Sequence, residues 1–126
     1  MLPGNAGRDV ERELLALAQP LASDVLRVAH HGPKSSSGPD FIARVAPKVA
    51  IVSADSGGSG NLSNPETLAV FQNTGVKILR TDVDGAMTLV WDGRGLTIHS
   101  YGGSRTVVTT GLGRDVAAGA GAFKVP

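Results

Sequence analysis

The chain alternates amphipathic segments with short apolar runs. The first amphipathic segment, residues 9–18, opens with acidic residues and is followed by Pro20, so it predicts a helix. The buried face expected for this helix carries four apolar residues at helical spacing: Val10, Leu14, Leu17 and Ala18. Two further helices are predicted at residues 40–45 and 65–73, each with a proline at or next to its first position, and Gly75 is expected to end the second.

Apolar and β-branched runs predict five strands. Residues 24–29, 48–53 and 76–81 are separated by the predicted helices, which implies parallel strands joined by right-handed crossovers. The nearly all-apolar run at 48–53 is typical of a strand covered on both faces. Residues 86–91 and 96–101 flank Asp-Gly-Arg-Gly, which predicts an antiparallel hairpin. The expected fold class is therefore α/β, with three parallel strands, helical crossovers and a C-terminal β-hairpin.

Composition limits the chemistry that this fold can carry. The 126 residues fit one domain, and the net charge of +1 gives no general reason to expect a polyanionic partner. Because there are no cysteines, any metal must be bound through nitrogen and oxygen. No apolar run reaches about 18 residues, so we expect a soluble segment that makes no membrane contact of its own.

The C-terminal residues differ in composition from the rest of the chain. From residue 102 onward glycine and alanine become frequent, and Phe123 is the only aromatic residue. Such a segment has little apolar surface to bury, which favours mobility. We therefore predict a domain at residues 1–101 and a flexible Gly/Ala-rich tail at 102–126.

Candidate chemistry is concentrated directly after the first predicted strand, where His30 and His31 precede a glycine. Imidazole nitrogens bind divalent metals, but adjacent residues of an extended segment point in opposite directions, so one histidine at most faces a given metal. Ligands of parallel α/β sheets gather beyond the carboxyl ends of the strands, where Asp55 and Asp82 also fall. The alternative is that both histidines are structural, one capping the loop and one packed in the core.

The residues that follow the histidines also allow two interpretations. By composition, residues 34–37 are a solvated loop in which Ser37 caps the next helix. The functional alternative is that this lysine and the serines bind a ligand at the sheet edge.

Three motifs in the expected order carry a resemblance to a known family. They are the His-His-Gly-x-Lys-Ser-Ser segment after the first strand, the strand Pro-Lys-Val-Ala-Ile-Val-Ser, and the turn Arg-Thr-Asp-x-Asp-Gly-Ala. Together they resemble the C-terminal half of the metallo-β-lactamase-like domain of ComEC-type DNA-uptake channel proteins and related stand-alone hydrolases. The resemblance extends over residues 2–101.

The resemblance implies half of an αββα sandwich whose complete form holds one or two divalent metals, zinc or manganese. Such metals activate water for hydrolysis, in this branch of a phosphodiester. It assigns His30 and His31 to metal binding and catalysis. It assigns a ligand-binding role to four further residues: Lys34, Ser35, Ser36 and Asp82.

The chain departs from the family pattern in three places. The His-x-His-x-Asp-His metal motif of the N-terminal half is not in this sequence. Asn5 stands where the family has the aspartate of Thr-Gly-Asp, and a neutral amide cannot bridge two cations as a carboxylate does. Residues 62–66 keep the helix-starting proline of Gly-His-Pro-His-Pro but neither histidine. We therefore expect metal binding by this chain to be weak or absent.

Three hypotheses follow for the function. In the first, the chain is part of a metal-dependent hydrolase, and an N-terminal half-domain or self-association covers the open face of its sheet. The parent would then be a bacterial membrane protein that acts on DNA. In the second, the chain comes from a degenerate, non-catalytic domain that binds DNA or a partner, or serves as a scaffold. In the third, it is a soluble α/β domain of unrelated function.

Overall fold

In the computed structural model the chain forms two compact units, Met1–Asp82 and Val83–Pro126. The structure describes residues 1–29, 35–54, 65–93, 95–102, 105–108 and 121–125.

The first unit alternates helices and strands, as the apolar pattern predicted. Its elements are α1 (Arg8–Ala16), β1 (Val25–Arg27), α2 (Pro39–Val45), β2 (Val49–Val52), α3 (Pro65–Asn73) and β3 (Lys77–Arg80). One helical turn, α4 (Thr81–Asp84), follows β3 where the sequence predicted only a turn. The predicted elements are confirmed, with ends that differ by a few residues.

The three strands of this unit form one parallel sheet in the order β1-β2-β3. Val49 of β2 pairs with Val25 on one side and Lys77 on the other, so the strands run in register from their amino ends. The predicted parallel arrangement is confirmed. The carboxyl ends of all three strands therefore meet at one edge of the sheet.

The hydrophobic core lies between one face of this sheet and its helices. Its most buried members are Leu26, Val28, Ala50, Val52, Phe41, Ile42, Val45 and Phe71. On the other face of the sheet Val25, Val49 and Ile51 are also buried. Full burial of β2 on both faces confirms the expectation drawn from its continuous apolar run.

The buried face of α1 differs from the one predicted. Val10 and Leu17 are 44% and 48% exposed, whereas Glu11 is only 3% exposed. Leu14 and Leu15, three and four positions after Glu11, pack against the core. The helix is thus rotated by about one residue from the predicted orientation, because the buried carboxylate of Glu11 has partners elsewhere in the chain.

The end of α3 follows the prediction that Gly75 stops the helix. Gly75 has φ +71, its N–H donates to Gln72 O at 3.1 Å, and Val76 N–H donates to Phe71 O at 3.2 Å. This pair of bonds is a Schellman motif, in which a left-handed residue satisfies the last helical carbonyls.

The second unit is an antiparallel sheet in the order β6-β5-β4-β7. Its strands are β4 (Met87–Trp91), β5 (Leu96–Ser100), β6 (Arg105–Val108) and β7 (Gly121–Val125). The β4–β5 hairpin confirms the prediction, while β6 and β7 were not predicted. The division of the chain into a domain and a tail at residue 101 stays a prediction. None of the described helices is long and apolar enough to cross a membrane.

A close backbone contact holds the far end of the β4–β5 hairpin. Gly102 N–H donates to Asp84 O at 2.8 Å. A Cβ on residue 102 would lie 2.7 Å from that same carbonyl oxygen, well inside contact distance. Only glycine can therefore occupy position 102 with the backbone in this arrangement.

Candidate functional site

The chain is fixed in place up to the residue before the histidine pair. Val28 N–H donates to Ile51 O at 2.8 Å, which continues the β1–β2 pairing past the end of β1. Val28 and Ala29 are 1% and 2% exposed. His30, His31 and Lys34 lie outside the described residues, so their assigned roles stay predictions.

Two hydrogen bonds hold the residues that follow this segment. Ser36 is 1% exposed, and its hydroxyl donates to Ala29 O at 3.4 Å. Ser35 is exposed, and its carbonyl accepts the N–H of Arg8 at 3.0 Å. The described residues on either side of the histidine segment are thus joined directly, through Ser36 and Ala29.

The carboxylate of Glu11 anchors the start of α2. Its Oε1 accepts the N–H of Ser37 at 2.5 Å, and its Oε2 accepts the N–H of Gly38 at 2.9 Å. Ser37 has φ +59, and both N–H groups are buried. A negative charge at this end of a helix is also favoured by the helix dipole.

This arrangement corrects part of the interpretation of residues 34–37 as a solvated loop in which Ser37 caps the next helix. Lys34 lies outside the described residues, and Ser35 is exposed as expected. Ser36 and Ser37 are buried, at 1% and 4% exposure. The N-cap position belongs to Gly38, and no side chain at that position makes a capping hydrogen bond. Glu11 of α1 supplies the cap instead, since glycine has no side chain that could accept the N–H bonds.

At the end of β3 the predicted ligand-binding residue Asp82 forms an ion pair. Arg80 donates to it twice, from Nε to Oδ1 at 3.0 Å and from Nη2 to Oδ2 at 2.5 Å. The Asp82 side chain is only 8% exposed, and that of Arg80 is 24% exposed. Because both carboxylate oxygens are engaged, a ligand at Asp82 would compete with a two-point arginine contact.

Thr81 connects the ends of β2 and β3. Its hydroxyl donates to Ala54 O at 2.9 Å and accepts the Ala54 N–H at 2.8 Å. These two bonds satisfy both backbone groups of Ala54 and fix the first residue of α4 beside the end of β2. The strand ends are therefore held to each other by side chains as well as by the sheet.

The donor types at this edge suit a divalent metal only in part. Imidazole nitrogens at His30 and His31 would be suitable ligands. Within the described residues, no group of three or more His, Cys, Asp or Glu side chains could hold an ion. Asn5 is exposed in a turn that begins with Gly4 at φ +60. The described part of the chain therefore does not complete a metal site.

Sequence reasoning missed three residues that organise this edge: Glu11, Arg80 and Thr81. Arg80 and Thr81 had a signal, because an arginine and a threonine directly precede the candidate Asp82 at the end of a strand. For Glu11 the only sequence signal was weak: its helical spacing to Leu14 and Leu15. The amides that it binds lie on a distant segment, so no local pattern indicates them.

The described residues define a mixed α/β protein with a three-stranded parallel sheet, helices against it and a C-terminal antiparallel sheet. No family model matches the chain. Over 101 residues the chain is 32% identical to ComE operon protein 3 of Bacillus subtilis (strain 168). The match covers 80% of this chain but 13% of that protein, so the chain spans a small part of its relative. The similarity supports a relationship to ComEC-type proteins, and the metallo-β-lactamase-like domain stays a prediction.

Proposed function

We propose that the chain is the C-terminal half of a metallo-β-lactamase-like domain in a DNA-uptake protein, and that its sheet edge forms part of a phosphodiester-hydrolysing site. The observation that carries the proposal is the anchoring of the described residues on either side of His30 and His31. Ser36 binds back to Ala29, and Glu11 holds Ser37 and Gly38. The described residues on either side of His30 and His31 are thereby held next to the carboxyl edge of the sheet, which supports the role proposed for the two histidines.

Each residue of this edge has a role in the proposal. His30 or His31 would bind zinc or manganese, which lowers the pKa of a bound water when the metal is present. Lys34 and Ser35 would contact the phosphate. Asp82, paired with Arg80, would keep the turn after β3 in place. The remaining metal ligands would come from a polypeptide segment other than this chain.

Metal titration of the chain tests the proposal. We expect weak binding of Zn²⁺ and Mn²⁺ by isothermal titration calorimetry, lost in either His30→Ala or His31→Ala and unchanged in the exposed control Gln72→Ala. We expect no turnover of bis(p-nitrophenyl) phosphate by the chain alone, because the ligand set is incomplete.

Two outcomes would contradict the proposal. If the unaltered chain bound neither metal, the histidines would not be metal ligands in this chain. Tight stoichiometric binding with turnover would show a complete site within the chain and refute the proposal of a shared one.

A second candidate function, a non-catalytic DNA- or partner-binding domain, is favoured by the Arg80–Asp82 pair. Asp82 is nearly buried and bound at both oxygens, and the exposed Asn5 replaces a family aspartate. This candidate predicts that the chain binds DNA in EDTA and that added metal leaves the affinity unchanged. An affinity that requires metal and His30 or His31 would contradict it.

The proposal also concerns partners of the chain. We propose that the chain associates with an N-terminal half-domain or with a second copy of itself, although β2 is already buried on both of its faces. Sedimentation velocity across a range of concentrations measures this, and a monomer at every concentration would count against self-association.

A further inference from the structure

The antiparallel sheet has two chemically different faces. On one face Met87, Leu89 and Ile98 are 0%, 8% and 1% exposed. On the other face His99 is exposed and Val90 is 37% exposed. Since successive residues of a strand alternate between faces, the face that carries His99 is the solvent side of β4 and β5.

Strand pairing extends one row of this solvent side across all four strands. Thr88 pairs with His99 and with Lys124, and His99 pairs with Arg105. Directly paired residues of neighbouring strands share a face, so these four positions form a single row, hereafter the basic row. At about 4.8 Å between strands, the row spans about 14 Å.

The basic row contains two cationic residues and a histidine. Lys124 and Arg105 occupy its two ends, and His99 lies between them. Within the four described strands, none of the positions on this face is an aspartate or glutamate. The neighbouring row consists of four uncharged residues: Ala122, Val90, Thr97 and Val107. A face with this charge suits a ligand with repeated negative groups.

An exposed aromatic residue stands beside the basic row. Tyr101 follows β5 directly, two positions after His99, and is 73% exposed. Its backbone is held, because its N–H donates to Ala86 O at 2.9 Å. Cations that track a phosphate backbone, next to an aromatic ring on which a base can stack, are the two elements of single-stranded nucleic-acid binding.

We propose that the basic row and Tyr101 form a binding surface for single-stranded DNA, with phosphates on the row and a base on the tyrosine ring. The choice of DNA among polyanions rests on the function proposed above. The surface itself lies on the antiparallel sheet and uses neither His30 nor His31. It would hold a DNA strand whether or not the chain takes part in hydrolysis.

Fluorescence anisotropy of a labelled oligothymidine tests this surface, with EDTA present so that metal plays no part. Each phosphate contact adds about 0.7 to the slope of log affinity against log salt, so Arg105→Gln/Lys124→Gln should lower the slope by about 1.4. At about 50 mM salt the same relation predicts about eightfold weaker binding for each cation removed. Tyr101→Ser should weaken binding about fivefold through the loss of stacking.

Matched variants separate the surface from general charge and from folding. Arg105→Lys/Lys124→Arg keeps the charges and should bind as the unaltered chain does. Arg44→Gln removes an exposed cation of α2 and should leave the salt slope unchanged. Circular dichroism of each variant checks that its fold is retained.

Three results would overturn the proposal. They are an unchanged slope in Arg105→Gln/Lys124→Gln, an equal loss in Arg44→Gln, and binding to phosphatidylglycerol vesicles without binding to the oligonucleotide. Weak metal binding that is lost in His30→Ala or His31→Ala, together with an unchanged slope, would refute the surface and leave the proposed function intact. Loss of DNA binding in the double variant of a chain that binds no metal would support the surface and contradict that function.

Discussion

Replacement of Glu11 by alanine removes the cap that α1 supplies to α2. The variant loses two charge-assisted hydrogen bonds, at 2.5 and 2.9 Å, and leaves the buried N–H groups of Ser37 and Gly38 without this acceptor. Hydrogen bonds to a charged group contribute about 1.5–3 kcal/mol each, and a buried unsatisfied donor costs about 1–3 kcal/mol. The energy of the lost bonds and the cost of the unsatisfied donors count the same loss, so the two are not added. We therefore expect Glu11→Ala to lower the free energy of unfolding by about 3 kcal/mol.

Urea unfolding followed by far-UV circular dichroism measures this loss, because α1, α2 and α3 all lie in the first unit. With an m-value of about 2 kcal/mol/M, the midpoint should fall by about 1.5 M. Glu13→Ala removes an exposed carboxylate from the same helix and should change the stability by less than about 0.5 kcal/mol. Glu11→Gln keeps the side-chain size but only one acceptor oxygen. Its stability should lie between those of Glu11→Ala and Glu13→Ala.

Amide hydrogen exchange locates the effect. The N–H groups of Ser37 and Gly38 should exchange faster in Glu11→Ala, even under conditions in which the rest of the sheet stays protected. Equal stability of Glu11→Ala and Glu13→Ala would refute the reasoning, and so would unchanged exchange at Ser37 and Gly38. If Glu11→Ala does not fold, the comparison of Glu11→Gln with Glu13→Ala decides the question.

Three further substitutions have expected outcomes. Thr81→Val loses both hydrogen bonds to Ala54, so it should lower the free energy of unfolding by about 1–3 kcal/mol and speed hydrogen exchange of the Ala54 amide. Protection of that amide equal to that in the unaltered chain would contradict this. Gly102→Ala places a Cβ 2.7 Å from Asp84 O and should destabilise the hairpin by about 2 kcal/mol, which Trp91 fluorescence during urea unfolding measures; an unchanged midpoint would refute it. Ala46→Gly removes the backbone strain of a left-handed alanine at φ +46 and should stabilise the first unit by about 0.5–1 kcal/mol in thermal unfolding. A lower melting temperature would show that the chain entropy of glycine outweighs the strain.

The parallel sheet could be predicted from sequence because its signals are local. Each strand is a short apolar run, and each connection carries its own helix signals, so order and direction follow from general rules of chain connection. The edge at which the candidate residues are expected to gather follows in the same way. The structure confirms β1, β2 and β3 as parallel neighbours.

The features that escaped prediction depend on contacts between distant segments. The predicted buried face of α1 did not include Glu11, yet the amides of residues 37 and 38 satisfy its carboxylate in the interior. β7 pairs with β4 and not with β6, its neighbour in sequence, and composition alone gives no sign of that pairing. The Arg80–Asp82 ion pair was also not predicted, although it joins residues only two positions apart, and the ligand-binding role assigned to Asp82 stays a prediction.

The order β6-β5-β4-β7 has a consequence for the chain during synthesis. β4 and β5 can pair as soon as their hairpin emerges from the ribosome, but the second edge of β4 must wait until residues 121–125 have been made. During that interval β4, with the sequence Met-Thr-Leu-Val-Trp, presents an open apolar edge of the kind that pairs with other chains. Nascent chains cut short before residue 121 should therefore be far more prone to aggregate than chains that include β7.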